Sequence, residues 1–196
     1  MIILAAGMSA RMGVLKPLLP LREHPAILRD IHTAISAGLS DIIVVTGHMH
    51  EEIESILSGN APVVRLIRNY RYEDGMFSSV CAGILALDER TDGFFLLPAD
   101  CCVISAGTLS LLIREFKKAG ADVVACPTYK GRRGHPPLIP AFCAGRIISY
   151  NGENGLEGFM STQRTVELET DDPGVLMDMD TPEDYAYMLS YLETAD

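Results

Sequence analysis

Short uninterrupted apolar runs alternate along this chain with stretches whose apolar residues recur every three or four positions. Ile2-Ile3-Leu4-Ala5 opens the series, and Asp41–Thr46 follows with Ile42-Ile43-Val44-Val45 at its centre. Both read as buried strands, because β-branched runs without a polar face fit a sheet covered on both sides. Val63–Ile67, Gly93–Leu97 and Val123–Cys126 continue the strand series. Between them, Pro25–Gly38 carries Ile27, Ile31, Ala34 and Ile35 at helical spacing and closes at Gly38. His50–Leu57 (stopped by Gly59-Asn60), Phe77–Leu87 and Ser105–Ala119 predict further helices, the last with Ser105 or Thr108 as cap. The alternation predicts an α/β fold: a Rossmann-like, mostly parallel sheet with helices on both faces.

The pattern changes after residue 126. Tyr129–Pro140 is rich in Gly and Pro and predicts a hairpin-like excursion. Arg164–Glu169 alternates like a strand, and Leu176-Met177 reads as a last short one. Thr181-Pro182-Glu183-Asp184 opens a final helix, with Thr181 as N-cap, Pro182 at N1 and Asp184 at N3. A small lobe inserted near residues 127–170 is the expectation. With 196 residues, no internal repeat and no low-complexity linker, the chain suggests one domain, or a domain with a small appended lobe.

Composition narrows the class. A 48% hydrophobic content is enough for a substantial core. No apolar run reaches the length of a membrane span, and the first residues lack the basic flank of a signal peptide. Five cysteines, an odd number without zinc-type pairing, describe no disulfide framework and fit a reducing compartment. A cytoplasmic protein without a membrane partner is expected. A net charge of −10 argues against nucleic acid as a partner. That charge is uneven. Residues 123–152 hold no Asp or Glu but include Lys130, Arg132, Arg133, His135 and Arg146. Such a window is either a solvated basic turn or a site for an anionic small molecule.

The first strand empties into Ala6-Gly7-Met8-Ser9-Ala10-Arg11-Met12-Gly13-Val14-Leu15-Lys16. Gly7 and Gly13 let the backbone approach a phosphate chain, Arg11 suits bidentate contact with phosphate oxygens, and Lys16 adds a compact charge. This is neither a Walker A loop nor a dinucleotide fingerprint. Asp100 follows the strand Phe94–Leu97, where a carboxylate either holds a divalent cation or caps a turn. Asp178 and Asp180, two apart, can face one side. Gly75, with Ser78 and Ser79 just after it, either starts a helix or reads a nucleobase. His48 and His50 read as a solvated loop, and Cys101-Cys102 as small buried residues.

The pattern L-A-A-G-x-S-x-R-M-G-x-x-K over Leu4–Lys16 resembles the signature of molybdenum-cofactor-type nucleotidyltransferases, and in particular the molybdenum cofactor cytidylyltransferase family. Gly75–Ser79 resembles its Gly-Met-x-x-Ser stretch, Gly131–Pro136 its Gly-x-x-Gly-His-Pro segment, and Asp178–Asp184 its Asp-Ile-Asp-Thr-Pro-Glu-Asp. The resemblance implies one nucleotidyltransferase domain over 1–196. It implies Arg11, Lys16 and Asp100 as catalytic residues, and Ala5, Ala6, Gly7, Ser9, Gly13, Gly75 and Ser79 around the nucleotide. It also implies Arg132, Arg133 and His135 toward the acceptor, and Mg2+ on Asp100 with Asp178 or Asp180. CTP is the implied donor, since Ala5-Ala6-Gly7 resembles the cytidylyl branch; another NTP is the alternative. A molybdopterin-type phosphorylated compound is the implied acceptor, a sugar or alcohol phosphate the runner-up. A non-catalytic carrier that delivers nucleotide-linked molybdopterin to a molybdenum hydroxylase apoenzyme is a third reading. Two departures stand out: Cys101-Cys102 where the family usually continues with x-Pro, often Gln-Pro, and Glu157 where it commonly has Arg.

Overall fold

A computed structural model describes residues 1–8, 13–61 and 63–194. The chain begins with β1 (Ile2–Ala5), a short 3-10 turn at Lys16–Leu18, and a two-residue ribbon of β2 (Pro20–Leu21) on β3 (His24–Pro25). α1 (Ala26–Ser36), β4 (Ile42–Thr46), α2 (His50–Asn60) and β5 (Val64–Arg68) come after it in the chain. Next are α3 (Met76–Leu85), β6 (Gly93–Pro98), α4 (Ala106–Lys118) and β7 (Val124–Tyr129). The last third contains β8 (Arg132–Arg133), β9 (Leu138–Pro140), α5 (Cys143–Ile148), α6 (Gly155–Ser161), β10 (Thr165–Glu169) and α7 (Pro182–Thr194).

The main sheet runs in the order β10-β7-β9-β6-β1-β4-β5, with β8 paired to β7 outside that path. β1 lies parallel between β4 and β6. The period-2 alternation of the strands divides the core. Ile3, Ala5, Ile42, Val44, Phe95 and Leu97 face one side, where Ile27 and Ile31 of α1, Ile53 of α2 and Leu109, Leu112 and Phe116 of α4 cover them. Ile2, Ile43, Val45, Phe94 and Leu96 face the other, beneath Val80 and Ile84 of α3, Ile147 of α5 and Phe159 of α6. This is the predicted mostly parallel sheet with helices on both faces. No helix among the described residues is long and apolar enough to cross a membrane.

The segment near 127–170 interrupts the βα alternation, as expected, but is woven into the sheet. β8 returns on β7 through Lys130 and Gly131, both at positive φ. β9 then threads antiparallel between β6 and β7, and β10 pairs with β7 at the edge. Leu176-Met177 is not a strand. Asp172 accepts a hydrogen bond from Gly174 N and Pro173 succeeds it, so the chain makes a 3-10 turn at Pro173–Leu176. The final helix starts as predicted: Asp184 N donates to Thr181 Oγ1 (3.2 Å) while Thr181 N donates to Asp184 Oδ2 (2.8 Å). α2 runs on through Gly59 and Asn60 rather than stopping before them.

Candidate active site

From β1 the chain moves to β4 and β5 on one side, then crosses back to place β6 on the other. The order therefore reverses at the β1–β6 pair, where open α/β sheets bind ligands beyond their strand ends. Two loops meet there. One leaves β1 through Ala6 and Gly7. The other leaves β6 through Ala99 and Asp100, held in place by Ala99 N donating to Leu4 O at 3.1 Å.

A cleft of about 340 Å³ lies between these loops and the start of α3. It brings together Ala5, Ala6, Gly7, Lys16, Gly75, Ser79 and Asp100 from the residues singled out in the sequence. Gly75 N-caps α3 at φ 97°, a backbone setting that penalises any Cβ. Ser79 is buried and accepts a hydrogen bond from Asn69 Nδ2 (2.9 Å), which also donates to Ser78 Oγ (2.8 Å). Ser78 is further tied to the carbonyls of Arg71 and Gly75, so it is a structural member of this corner. Gly13 turns the first loop at φ 66° and does not line the cleft. Ser9 and Arg11 lie outside the described residues.

At the mouth of the cleft an ammonium is set among acids. Lys16 Nζ is 2.6 Å from Asp180 Oδ1 and 3.3 Å from Asp100 Oδ2. Burial tends to lower the Lys16 pKa, but the hydrogen bond to Asp180 and the charge of Asp100 carry it above the usual lysine value. Asp178 stands beside this group. Burial and the like charges of Asp180, Asp100 and Asp184 raise its pKa, with Lys16 opposing. The backbone fixes the arrangement: Met179 N donates to Asp100 O at 3.0 Å. Among the described residues no three His, Cys, Asp or Glu side chains form a ready metal cluster. The donor set nonetheless suits a hard divalent cation. It consists of carboxylate oxygens, and its negative charges crowd one another.

The basic turn is placed in two parts. Arg132 and Arg133 are exposed on β8, and Arg133 Nε donates to Glu167 Oε1 of β10 at 2.6 Å. They are not in the cleft lining. His135 stands closer to the acids. Desolvation lowers its pKa, while the charges of Asp100 and Asp178 act to raise it. Gly134 permits this placement, since a Cβ there would strike the Val175 carbonyl. His135 N donates to that same carbonyl at 2.8 Å. Glu157 is exposed in the first turn of α6.

Sequence reasoning did not single out Tyr72, Glu73 and Met8, which also line the cleft. Tyr72 packs where Gly47 has no side chain, and that glycine after a strand was the available signal. Asp30 of α1 is 4% exposed, its Oδ2 has no hydrogen-bond partner among the described residues, and burial together with Asp100 raises its pKa well above the usual range, against Arg29. Its spacing from Ile27 and Ala34 puts an acid on the apolar face of a helix, which was legible. Cys101 and Cys102 are buried, with thiol pKa values pushed up by burial first, then by Asp100 and Asp30. His50 starts α2 and meets Thr46 Oγ1 at 2.7 Å, rather than lying in a solvated loop.

The family match places this chain among the nucleotidyltransferases. The chain belongs to the MobA-like NTP transferase domain family, whose model matches residues 1–168. It is 27% identical to the molybdenum cofactor cytidylyltransferase of Escherichia coli K12 over 184 residues, covering 94% of this chain and 92% of that protein. A nucleotidyl transferase from Methanothermobacter thermautotroptrophicus superposes with a TM-score of 0.83 at 22% identity, over 100% of this chain and 97% of the other. The manganese complex of Rv0371c from Mycobacterium tuberculosis H37Rv gives a TM-score of 0.73 at 21% identity, covering 96% of each chain.

Proposed function

We propose that this protein transfers CMP from CTP to the phosphate of a molybdopterin-type acceptor and releases pyrophosphate. The observation that carries the reading is the group of Lys16, Asp100 and Asp180 at the mouth of a cleft on the sheet's switch point. The similarity to the Escherichia coli cytidylyltransferase and the Ala5-Ala6-Gly7 turn support cytidine and molybdopterin over other pairs.

The chemistry asks little covalent work of the protein. A phosphate oxygen of the acceptor attacks the α-phosphorus, the bond from that phosphorus to the bridging oxygen breaks, and pyrophosphate leaves with the electron pair. Positioning and charge stabilisation supply the rate. The apolar wall made by Leu4, Pro98 and Met76, with Tyr72 beside it, suits a nucleobase. The Ala6-Gly7 backbone and Lys16 face the phosphates. Asp100, with Asp178 or Asp180, would hold Mg2+, which when bound neutralises charge on the α-phosphate and the leaving pyrophosphate. His135, beside Asp178, borders the acceptor side.

Pyrophosphate release measured with CTP, GTP, ATP and UTP, each with molybdopterin, with a sugar phosphate and with neither, tests this reading. Release that requires CTP and molybdopterin together is expected. Release with a sugar phosphate but not with molybdopterin would replace the acceptor. No release under any condition, with nucleotide-linked molybdopterin copurifying, would make the protein a carrier.

A further inference from the structure

Lys16 has two claims on its charge. Metal-assisted nucleotidyl transfer in this cleft, the function proposed above and the basis of the present inference, needs it on the triphosphate. In the structure its ammonium lies 2.6 Å from Asp180 and 3.3 Å from Asp100, with only 12% of the side chain exposed. An ammonium engaged by two carboxylates has its charge spent on them rather than on a phosphate.

The acids are the fixed partners. Asp100 lies past a strand end pinned by Ala99 N to Leu4 O, and Cys101 N closes the next turn on Pro98 O at 3.1 Å. Asp180 lies between Met179, bonded to the Asp100 carbonyl, and the reciprocal Thr181–Asp184 cap of α7. Lys16 starts a short 3-10 turn, and its ammonium rides on a flexible four-carbon stem. The group able to move is the lysine.

We infer that Lys16 is a placeholder cation, holding Asp100 and Asp180 where a divalent ion would sit and yielding that position when metal and nucleotide arrive. Displacement then delivers the ammonium to the incoming phosphates. The same charge that neutralises the acids at rest therefore becomes available to the substrate only once the metal is in place. Metal and triphosphate binding are coupled through one side chain, and the nucleotide-free protein's affinity for a divalent ion is held down by its own lysine.

Free Mn2+ measured by electron paramagnetic resonance during titration of nucleotide-free protein tests this. Lys16→Met should bind Mn2+ roughly tenfold more tightly than the unmodified protein, the scale expected when a cation a few ångströms from the site is removed. Lys16→Arg, which keeps the charge, should stay within about twofold of it. Lys16→Gln takes the place of Lys16→Met if circular dichroism shows the latter unfolded. An uncharged variant that binds Mn2+ no better than the unmodified protein would overturn the placeholder, as would an arginine variant that tightens equally. Asp100→Asn separates the two levels: it should abolish binding, and unchanged Mn2+ affinity in that variant would instead remove the metal-assisted reading itself.

Discussion

Asp100 lies where β6 leaves the sheet, and its carboxylate is within reach of Lys16 while its backbone carbonyl anchors the Asp178–Asp180 segment. Asp100→Asn keeps the shape of the side chain and removes the charge. Turnover should fall by about two orders of magnitude or more, measured as pyrophosphate release at saturating nucleotide, while the melting temperature changes little. Asp30 presents a different case, a buried acid whose Oδ2 has no hydrogen-bond partner among the described residues. Between its unfolded pKa and its raised folded pKa, the unfolded chain loses the proton and the native chain keeps it. Folding therefore takes up a proton there, and stability falls as pH rises through that window. Asp100 and Arg29 are the charged groups that act on it. Asp30→Asn lacks this titration, so urea unfolding from pH 4 to 8 should show the variant gaining on the unmodified protein by up to about 1.4 kcal/mol per pH unit. Parallel pH profiles for the two would contradict the assignment. Asp30 and Asp100 were legible to different degrees: Asp100 by its place after an apolar run, Asp30 only as a break in helical polarity.

Under the proposed function, the return from β8 into β9 would shape the acceptor side. Gly134 N donates to Pro127 O at 2.9 Å, His135 N donates to Val175 O, and an added Cβ at 134 would meet that same carbonyl. Gly134→Ala should cost about 1–3 kcal/mol by overpacking in urea unfolding and lower kcat/KM for the acceptor more than for the nucleotide. Arg132→Ala should likewise raise the acceptor KM and leave the nucleotide KM within about threefold, since losing one charge-assisted hydrogen bond is worth roughly 1.5–3 kcal/mol. Equal losses for both substrates would take Arg132 off the acceptor side. Strands β1, β4 and β6 were readable because unbroken apolar runs have few other homes than a sheet covered on both faces. The place of β9 was not. Leu138-Ile139-Pro140 is too short to carry a periodicity, and its antiparallel position between β6 and β7 is set by tertiary pairing. Leu176-Met177 resembles a strand as an apolar pair, and both residues are half-buried, but Asp172 and Pro173 upstream commit the backbone to a turn.

Across the whole molecule, an acidic chain has to admit a polyanion. The −10 net charge would repel it, so binding depends on local cations, and part of the basic window is already occupied by acids of β10: Glu167 on Arg133, and Glu169 on the backbone N–H groups of Lys130 and Gly131. Lys16, the cation lining the cleft among the described residues, is itself paired with Asp100 and Asp180, so under the proposed function it serves the phosphates only after leaving them. In the proposed function, this charge directs reaction to the α-phosphorus. The direct test is to run the reaction with CTP labelled at the α- or the γ-phosphorus, molybdopterin as acceptor and Mg2+, and to track where each label goes. The α-label should appear in the acceptor and the γ-label in pyrophosphate, with both signals lost in Asp100→Asn. A γ-label on the acceptor, or release of inorganic phosphate in place of pyrophosphate, would contradict nucleotidyl transfer.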